Sequence, residues 1–401
     1  MTRTMKTSLT DLNDFNYLLI DADGHVNEPP ELWQEGVAVS LRERAPKLLE
    51  TAHGDVWAFE GGARMRPLGL NAVAGLSVVQ FRDQGLRYTD IRPGSFDQKS
   101  RLHDMDADGI WAQVLYPSVV LEGARLFGDD RQLQLACVRA YNEWLAEFCH
   151  GAEHRLIGQA IMPTTGVDDA IAEMRRGIEL GHRGAILSAY PNGTASPDVD
   201  DERFWAFAEE ASLPVAVHVG SFSRAGPPST YPSFQERSFL AVAAAAKSGL
   251  GVMKVCCSLL FSGVFQRFRR TKLVLTEANI GWIPTLLEQT DNMFFRYRWI
   301  TAAEHMQELP SQLFHRNVWV TFIIDTVGLD LRYRMNQNHL MWSTDYPHTP
   351  CDWPNSRLTA LRQFRGLPLD EVRGFVHGNA RELYGLDIPD EQPGGRDQSA
   401  G

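Results

Sequence analysis

The sequence has few cysteines and a deficit of basic side chains. Its 401 residues include five cysteines, an odd number that fits neither a complete disulfide framework nor a zinc knuckle. Lys and Arg number 39 against 50 Asp and Glu, which gives a net charge of −11. This charge disfavours partners such as nucleic acid and anionic lipid. The cysteine usage favours a reducing cytoplasm.

Long uncharged hydrophobic runs are also missing. The N-terminal segment lacks the continuous apolar stretch of a signal peptide, because Asp11 and Asp14 interrupt it. The most apolar stretch, residues 239–265, is interrupted by Lys247 and Lys254. It therefore stays below the roughly 18 uncharged residues that cross a bilayer. The sequence predicts neither export nor membrane insertion.

Short apolar runs alternate with longer stretches of helical period along the chain. Runs of this kind are typical of strands in a parallel sheet that helices cover on both faces. Eight of them predict strands at residues 18–26, 111–116, 156–162, 184–189, 215–219, 273–276, 318–324 and 340–343. Eight strands separated by helices predict a (β/α)₈ TIM barrel, which we expect to form a single domain over residues 1–390.

Three stretches depart from this alternation. Residues 27–98 form an insertion after the first strand, in which residues 55–62 predict a small hairpin, and we expect it to cover one mouth of the barrel like a lid. Residues 221–238 are rich in proline and follow the fifth strand, on the face where barrels carry their active sites. Residues 391–401 carry almost no apolar side chain and predict a disordered tail.

Polar side chains follow four of the predicted strands at their carboxyl ends. Alternation along the first strand turns three of these side chains to one side. Burying several unpaired carboxylates is costly, so a shared divalent cation is the simplest explanation for them. Two imidazoles and three carboxylates suit Zn²⁺, Mn²⁺ or Fe²⁺. The residues at these strand ends are Asp21, Asp23 and His25, then His218, Glu277 and Asp345.

Each of these residues also has a structural interpretation when it is taken alone. His218 lies in an apolar strand, where a histidine is usually a hydrogen-bonded core residue. Asp23 and His25 could cap the turn after their strand, and Asp345 precedes Tyr-Pro as an ordinary turn residue does. The coincidence of all of them at strand ends favours the metal site.

Five segments resemble the amidohydrolase-related family of metal-dependent TIM-barrel enzymes, in the branch of aminocarboxymuconate semialdehyde decarboxylase and the resorcylate-type decarboxylases. The resemblance runs from about residue 21 to residue 386. It implies one divalent ion, first of all zinc, with manganese or iron as alternatives, held by Asp23, His25, His218 and Asp345. It also implies a homodimer. The segments are IDADGHVNEPPELW, RLHDMDADGIWAQVLYP, GVFQRFRRTKLVLTEANIGWIPTLLEQTDN, MWSTDYPHTPCDWPNS and GNARELYGL.

The implied activity is that of a hydrolase or a non-oxidative decarboxylase acting on a small organic acid, which could be aromatic or cyclic. Decarboxylases of this family commonly carry a histidine after the sixth strand, where this chain has Glu277. Glu277 could be a general base in a hydrolase, or a ligand to a second ion in a dinuclear iron or manganese oxygenase. A further alternative is a non-catalytic paralogue that supports an active partner subunit in a hetero-oligomer.

Several neighbouring residues receive expected roles. Glu277 and Asp345 are expected to accept a proton, and His348 is expected to act as an acid or to contact the substrate. Glu28 is expected to orient His25 or to cap the segment before Pro29. A substrate carboxylate would meet an arginine, for which Arg101 and Arg224 are both candidates.

The apolar stretch 239–265 carries one more expectation. A helix on the outside of a barrel usually keeps a polar outward face, and this stretch is too apolar for that. It therefore predicts a subunit interface, with a homodimer as the expected assembly. The alternative is a helix buried beneath the insertion.

Overall fold

The computed structural model of the protein describes residues 8–11, 17–222, 232–349 and 351–388, without the side chains of residues 232–239 and 305. Three expectations concern residues outside these ranges, namely Arg224, residues 223–231 of the proline-rich loop, and the 391–401 tail. All eight predicted runs contain a strand. The strands are β1 (Leu19–Val26), β2 (Lys47–Thr51), β3 (Gly54–Phe59), β4 (Arg64–Pro67), β5 (Ile110–Pro117), β6 (Leu156–Ile161), β7 (Gly184–Ile186), β8 (Val215–His218), β9 (Leu273–Thr276), β10 (Val318–Phe322) and β11 (Leu340–Trp342).

Eight of the strands form one parallel sheet in the order β1-β5-β6-β7-β8-β9-β10-β11. The strands are almost completely buried because helices cover the outer face and side chains fill the barrel interior. The segment after β11 bridges back to β1, where Asp345 N donates to Asp23 O at 2.9 Å and His25 N donates to Tyr346 O at 2.6 Å. The fold is therefore the nearly closed (β/α)₈ barrel that the sequence predicts.

Helices connect the strands, and several begin as their sequences predict. Asp130 caps α3 by accepting from the backbone N–H groups of Gln132 and Leu133, and Asp168 and Asp169 lie in the first turn of α4. The helices are α1 (Leu32–Gly36), α2 (Gln98–Asp108), α3 (Arg131–Cys149), α4 (Val167–Glu179), α5 (Glu202–Glu210), α6 (Pro232–Lys247), α7 (Leu250–Phe261), α8 (Val264–Arg267), α9 (Ile283–Tyr297), α10 (Pro310–Asn317), α11 (Thr326–Asp330), α12 (Ser356–Phe364), α13 (Leu369–Arg373) and α14 (Asn379–Tyr384).

The insertion after β1 carries α1 and a separate antiparallel sheet of β2, β3 and β4. Strands β3 and β4 form the expected hairpin, and β2 adds a third strand that the sequence did not indicate. The insertion packs on the loop after β11, since Val73 N donates to Pro347 O at 2.8 Å and Thr349 N donates to Leu70 O at 3.2 Å. It therefore lies at the carboxyl end of the barrel, and its action as a lid stays a prediction.

Helix α6 and the first residue of α7 present part of the apolar stretch to solvent, whereas one face of α7 is buried. The buried residues of α7 are Val252, Val255, Cys256, Leu259 and Leu260. Leu240, Val242 and Leu250 are 67%, 67% and 63% exposed, and only 22% of the window within Leu240–Phe261 is buried. By length and composition alone this stretch could cross a membrane. The backbone turns at Gly249, where φ is 78°, and Lys247 ends α6 with its side chain at the barrel mouth. The stretch is therefore not a helix buried beneath the insertion.

Candidate metal centre

Four buried side chains from three strand ends converge at the carboxyl end of the barrel. Asp23 and His25 belong to β1, His218 ends β8, and Asp345 follows β11. His25 Nε2 lies 3.1 Å from Asp345 Oδ1 and 3.3 Å from Asp23 Oδ1. His218 Nε2 lies 3.3 Å from Asp23 Oδ1 and 3.3 Å from His25 Nε2. We call these four residues the metal cluster.

Hydrogen bonds outside the cluster decide which ring nitrogens face its centre. His25 Nδ1 lies 2.8 Å from Pro117 O, and His218 Nδ1 lies 3.0 Å from Val219 O. A carbonyl only accepts, so both Nδ1 atoms donate and both Nε2 atoms are left to bind a cation. In the described part of the chain, both oxygens of Asp23 and Oδ1 of Asp345 have no hydrogen-bond partner. Buried lone pairs that face one another in this way fit a divalent ion.

The electrostatics of the cluster also favour a positive charge at its centre. Burial lowers the pKa of His25, but Asp23 and Asp345 act in the opposite direction and raise it to about 10. Burial raises the pKa of Asp23, yet the imidazoles of His218 and His25 bring it well below its usual range. The carboxylate of Asp23 is therefore charged at neutral pH, and a positive charge beside it is favoured.

The backbone turns sharply where two of the functional side chains leave their strands. Asp345 has a φ of 61° and Glu277 a φ of 58°, both in the left-handed region that non-glycine residues rarely adopt. The Asp345 N–H bond to Asp23 holds the first turn, and Glu277 N donates to Thr321 Oγ1 at 2.7 Å at the second. Strain of this kind is often found at functional sites, where the surrounding contacts enforce it.

Glu277 lies beside the metal cluster rather than within it. Parallel pairing of β8 with β9 sets His218 opposite Thr276, so Glu277 follows at the mouth, 7% exposed. Its Oε2 lies 3.7 Å from His218 Nδ1, and its Oε1 contacts the ammonium of Lys247. Lys247 Nζ also lies 3.4 Å from Asp345 Oδ2. Lys247 could not be recognised as a site residue from the sequence, since the sequence shows it only as a charged residue within an apolar stretch.

His348 packs directly on the cluster. Its ring stacks on that of His25 at 3.7 Å and 15°, and its Nδ1 lies 3.6 Å from Asp345 Oδ1. Ser118 Oγ lies 2.9 Å from its Nε2. Burial lowers the pKa of His348 well below the ordinary value, so the ring is neutral. His348 is thus buried rather than exposed on a loop, and its role as an acid or substrate contact stays a prediction.

Glu28 and Arg101, which were expected beside the site, make other contacts. Glu28 accepts from the backbone N–H groups of Val119 and Val120 at 2.8 and 3.3 Å, so the expectation that it orients His25 is wrong. Arg101 is fully buried and donates to Gly94 O, to His25 O and to Gln113 Oε1. All of these contacts lie within the protein, so Arg101 supports β1 and is not positioned to meet a substrate carboxylate.

Asp21 does not join the metal cluster either, although it shares a strand with Asp23. Its carboxylate accepts from Thr344 N at 2.8 Å, from Thr344 Oγ1 and from Gln113 Nε2 at 2.9 Å. Burial raises the pKa of Asp21 to about 7. The side chain ties β1 to β5 and to the segment after β11.

Comparison with known proteins places the chain in a family. A 2-amino-3-carboxymuconate-6-semialdehyde decarboxylase of Dictyostelium discoideum is 24% identical over 312 residues, covering 76% of this chain and 80% of the relative. An amidohydrolase structure from Mycobacterium avium subsp. paratuberculosis K-10 superposes with a TM-score of 0.73 at 18% identity, covering 92% of this chain and 100% of that one. A dihydroxybenzoic acid decarboxylase from Polaromonas sp. JS666, solved with bound manganese, has a TM-score of 0.60 at 18% identity, with coverages of 92% and 98%.

The expectation of an enzyme of the hydrolase or carboxy-lyase class is confirmed at the level of the family. The family model described as amidohydrolase matches residues 20–386, which include every member of the metal cluster. The two structural neighbours support the barrel fold. The chain belongs to the amidohydrolase family.

Proposed function

We propose that this protein is a metal-dependent, non-oxidative decarboxylase of a small unsaturated or aromatic carboxylic acid, with one divalent ion in the metal cluster. The observation that carries the proposal is a pair of buried groups that could hold a metal ion and that share His25. Asp23, His25 and His218 form one group, and His25, Asp345 and His348 form the other. Among the described residues, neither side-chain oxygen of Asp23 has a hydrogen-bond partner. The decarboxylase activity of the Dictyostelium discoideum relative supports the reaction class.

The mixed nitrogen and oxygen donor set suits Mn²⁺, Zn²⁺ or Fe²⁺. Manganese in the Polaromonas relative makes Mn²⁺ the first ion to test, followed by the Zn²⁺ that the family resemblance implies. When bound, such an ion supplies positive charge that holds a substrate carboxylate and stabilises the electron pair left by departing CO₂.

Decarboxylation needs a proton donor near the substrate carbon. The bond from that carbon to the carboxylate breaks, CO₂ leaves, and the electron pair stays on the carbon, where a proton replaces the lost group. Glu277 lies beside the cluster at the mouth, where its carboxylate can pass a proton from Lys247 to the substrate carbon. Lys247 contacts Glu277 and is 31% exposed, so it can return a proton from solvent.

The contact between Lys247 and Glu277 favours decarboxylation over hydrolysis. A hydrolase needs a free general base beside the attacking water. In this structure the ammonium of Lys247 occupies one oxygen of Glu277, and Asp345 faces His25. The pair of Lys247 and Glu277 is therefore better suited to deliver a proton than to remove one.

The test is release of CO₂ by protein loaded with Mn²⁺ or Zn²⁺, with a panel of hydroxybenzoates and unsaturated dicarboxylic acids labelled with ¹³C at the carboxylate. His218→Ala should lose most of the metal and the CO₂ release, because few protein ligands hold the ion. His150→Ala is the matched control, since His150 is 78% exposed on the surface. Hydrolysis of esters or lactones without CO₂ release would contradict the proposal, and unchanged metal content in His218→Ala would reject the cluster.

We also propose a homodimer that buries the exposed apolar face of α6 and α7. Leu240, Val242 and Leu250 are too exposed for a face that remains in water. Light scattering should give about twice the chain mass of 45.0 kDa, and a mass near 45.0 kDa at micromolar concentration would contradict this assembly. All five cysteines are described and free, which supports a reducing compartment such as the cytoplasm.

A further inference from the structure

Lys247 reaches the metal cluster from outside the strands. It is the last residue of α6, and Asn279 Nδ2 donates to its backbone carbonyl at 2.9 Å, which ties the end of this helix to the loop after β9. The Lys247 ammonium lies between two carboxylates, in contact with Glu277 and 3.4 Å from Asp345 Oδ2. One of these carboxylates belongs to the proposed metal site and the other lies next to it.

The charges around this point balance with a single divalent ion. Asp23, Asp345 and Glu277 carry three negative charges, and Lys247 carries one positive charge. Two negative charges remain, which is the charge that one divalent cation neutralises. A second divalent ion would leave a net positive charge in a site that is almost closed to water.

We infer that the Lys247 ammonium takes the place of a second metal ion and limits the site to one. Asp345 Oδ2 and Glu277 are the oxygens that a second ion beside the first would use, and both face Lys247 instead. Oδ1 of Asp345, which is buried and has no hydrogen-bond partner within the described residues, would remain available to hold the first ion. This inference rests on the proposed metal centre and disfavours the dinuclear oxygenase.

The inference is tested by metal stoichiometry rather than by activity. Wild-type protein, Lys247→Met and Lys247→Arg are freed of metal, titrated with Mn²⁺ and analysed for ions bound per chain and for the electron paramagnetic resonance spectrum. Wild type and Lys247→Arg should bind one ion with the spectrum of isolated Mn²⁺. Lys247→Met keeps the length of the side chain without its charge and should bind two ions with a spin-coupled spectrum.

Two further variants separate a specific effect from a general change in surface charge. Lys254→Met removes an exposed charge from the next helix and should bind one ion. The double variant Lys247→Met/Glu277→Gln removes the second oxygen ligand and should return to one ion. Circular dichroism of each variant confirms that the stoichiometry refers to folded protein, and Lys247→Ala replaces Lys247→Met if the latter does not fold.

The outcomes distinguish this inference from the proposed function. Two ions in wild type, or one ion in both uncharged variants at Lys247, would overturn the inference while leaving a metal centre in place. No ion in wild type would reject both the metal centre and the inference. One ion in wild type and two in Lys247→Met, without CO₂ release from any acid tested, would sustain the inference and reject the decarboxylase.

Discussion

Asp21 and Asp23 are two residues apart on β1, and both side chains are completely buried. Asp21 accepts hydrogen bonds from Thr344 and Gln113, whereas in the described part of the chain both oxygens of Asp23 have no hydrogen-bond partner. The fold thus supplies hydrogen-bond partners to the carboxylate of Asp21 but not to the carboxylate of Asp23.

The presence or absence of hydrogen-bond partners helps to distinguish a buried polar group with a structural role from one that binds a ligand. A folded protein rarely buries a carboxylate without partners, because the free-energy cost is several kcal/mol. Where it does, the missing partner is usually supplied from outside the chain. Hydrogen-bond partners, rather than burial, therefore distinguish the structural role of Asp21 from the metal-binding role that we propose for Asp23.

The sharpest test of this comparison is Asp23→Asn. The variant should lose most of its bound metal, and turnover should fall on the order of 10³-fold or more, because the cation loses a charged ligand. The metal-free variant should also unfold at a lower urea concentration than metal-free wild type, because Asp23 pairs with the imidazoles of His25 and His218 in the folded protein. Elemental analysis and urea unfolding measure both effects, and full metal content in the variant would reverse the assignment.

The next largest effect is expected for Glu277→Gln, which preserves the shape of the side chain and removes its ability to carry a proton. Turnover should fall by about 10²–10⁴-fold, while one ion per chain is retained. Glu288→Gln, on an exposed position of α9, is the control that should behave like wild type. Lower metal content in Glu277→Gln would indicate that Glu277 is a ligand, and full activity would exclude a chemical role.

Asp21→Asn tests the structural role of Asp21. The amide directs N–H groups at the donors of Thr344 and Gln113, so we expect a loss of stability on the order of 1–3 kcal/mol. Folded variant should keep its single metal ion, because Asp21 is not part of the metal cluster. Unfolding in urea measures the first quantity and elemental analysis the second. If the variant kept its stability but lost its metal, Asp21 would be a metal ligand rather than a structural residue.

Most of the barrel could be predicted from the sequence because its strands are buried on both faces. Runs such as VAVHV and LVLT are apolar at nearly every position, and parallel strands covered by helices have that pattern. Strand β4 (Arg64–Pro67) could not be found in this way, since all four of its residues are exposed and they do not form an apolar run. Several predicted runs are longer than the strands because apolar residues such as Val219, Ile323 and Ile324 continue past the last residue of the strand.

Only part of the candidate site could be predicted from the sequence in the same way. His25, His218 and Asp345 lie at strand ends, where a barrel places its chemistry, so position in the sequence indicated them. Lys247 reaches the site from the end of α6, and its position relative to Glu277 depends on how that helix packs over the barrel mouth. The roles of Arg101 were open for a similar reason, because only the fold shows that all of its contacts are internal.

The smallest expected effect contrasts the two ends of the barrel through their histidines. At the carboxyl end, carboxylates favour protonation of His25. At the amino end, His339 stacks on Trp319 at 3.7 Å and donates to Val318 O, and burial lowers its pKa from 6.5 to about 4. Protonation of His339 is therefore disfavoured in the folded state and unopposed in the unfolded chain.

The sign of the resulting pH dependence follows from proton binding. Between pH 6.5 and 4 the unfolded chain binds a proton at His339 that the folded protein does not bind, so stability falls as the pH falls through this window. With allowance for the partial exposure of the ring, His339 should account for about 1–2 kcal/mol of the loss between pH 7 and pH 5. His339→Gln should remove that part of the slope, whatever its stability at pH 7. Urea unfolding of metal-free wild type and variant at both pH values gives the comparison, and equal slopes would show that His339 does not titrate in this way.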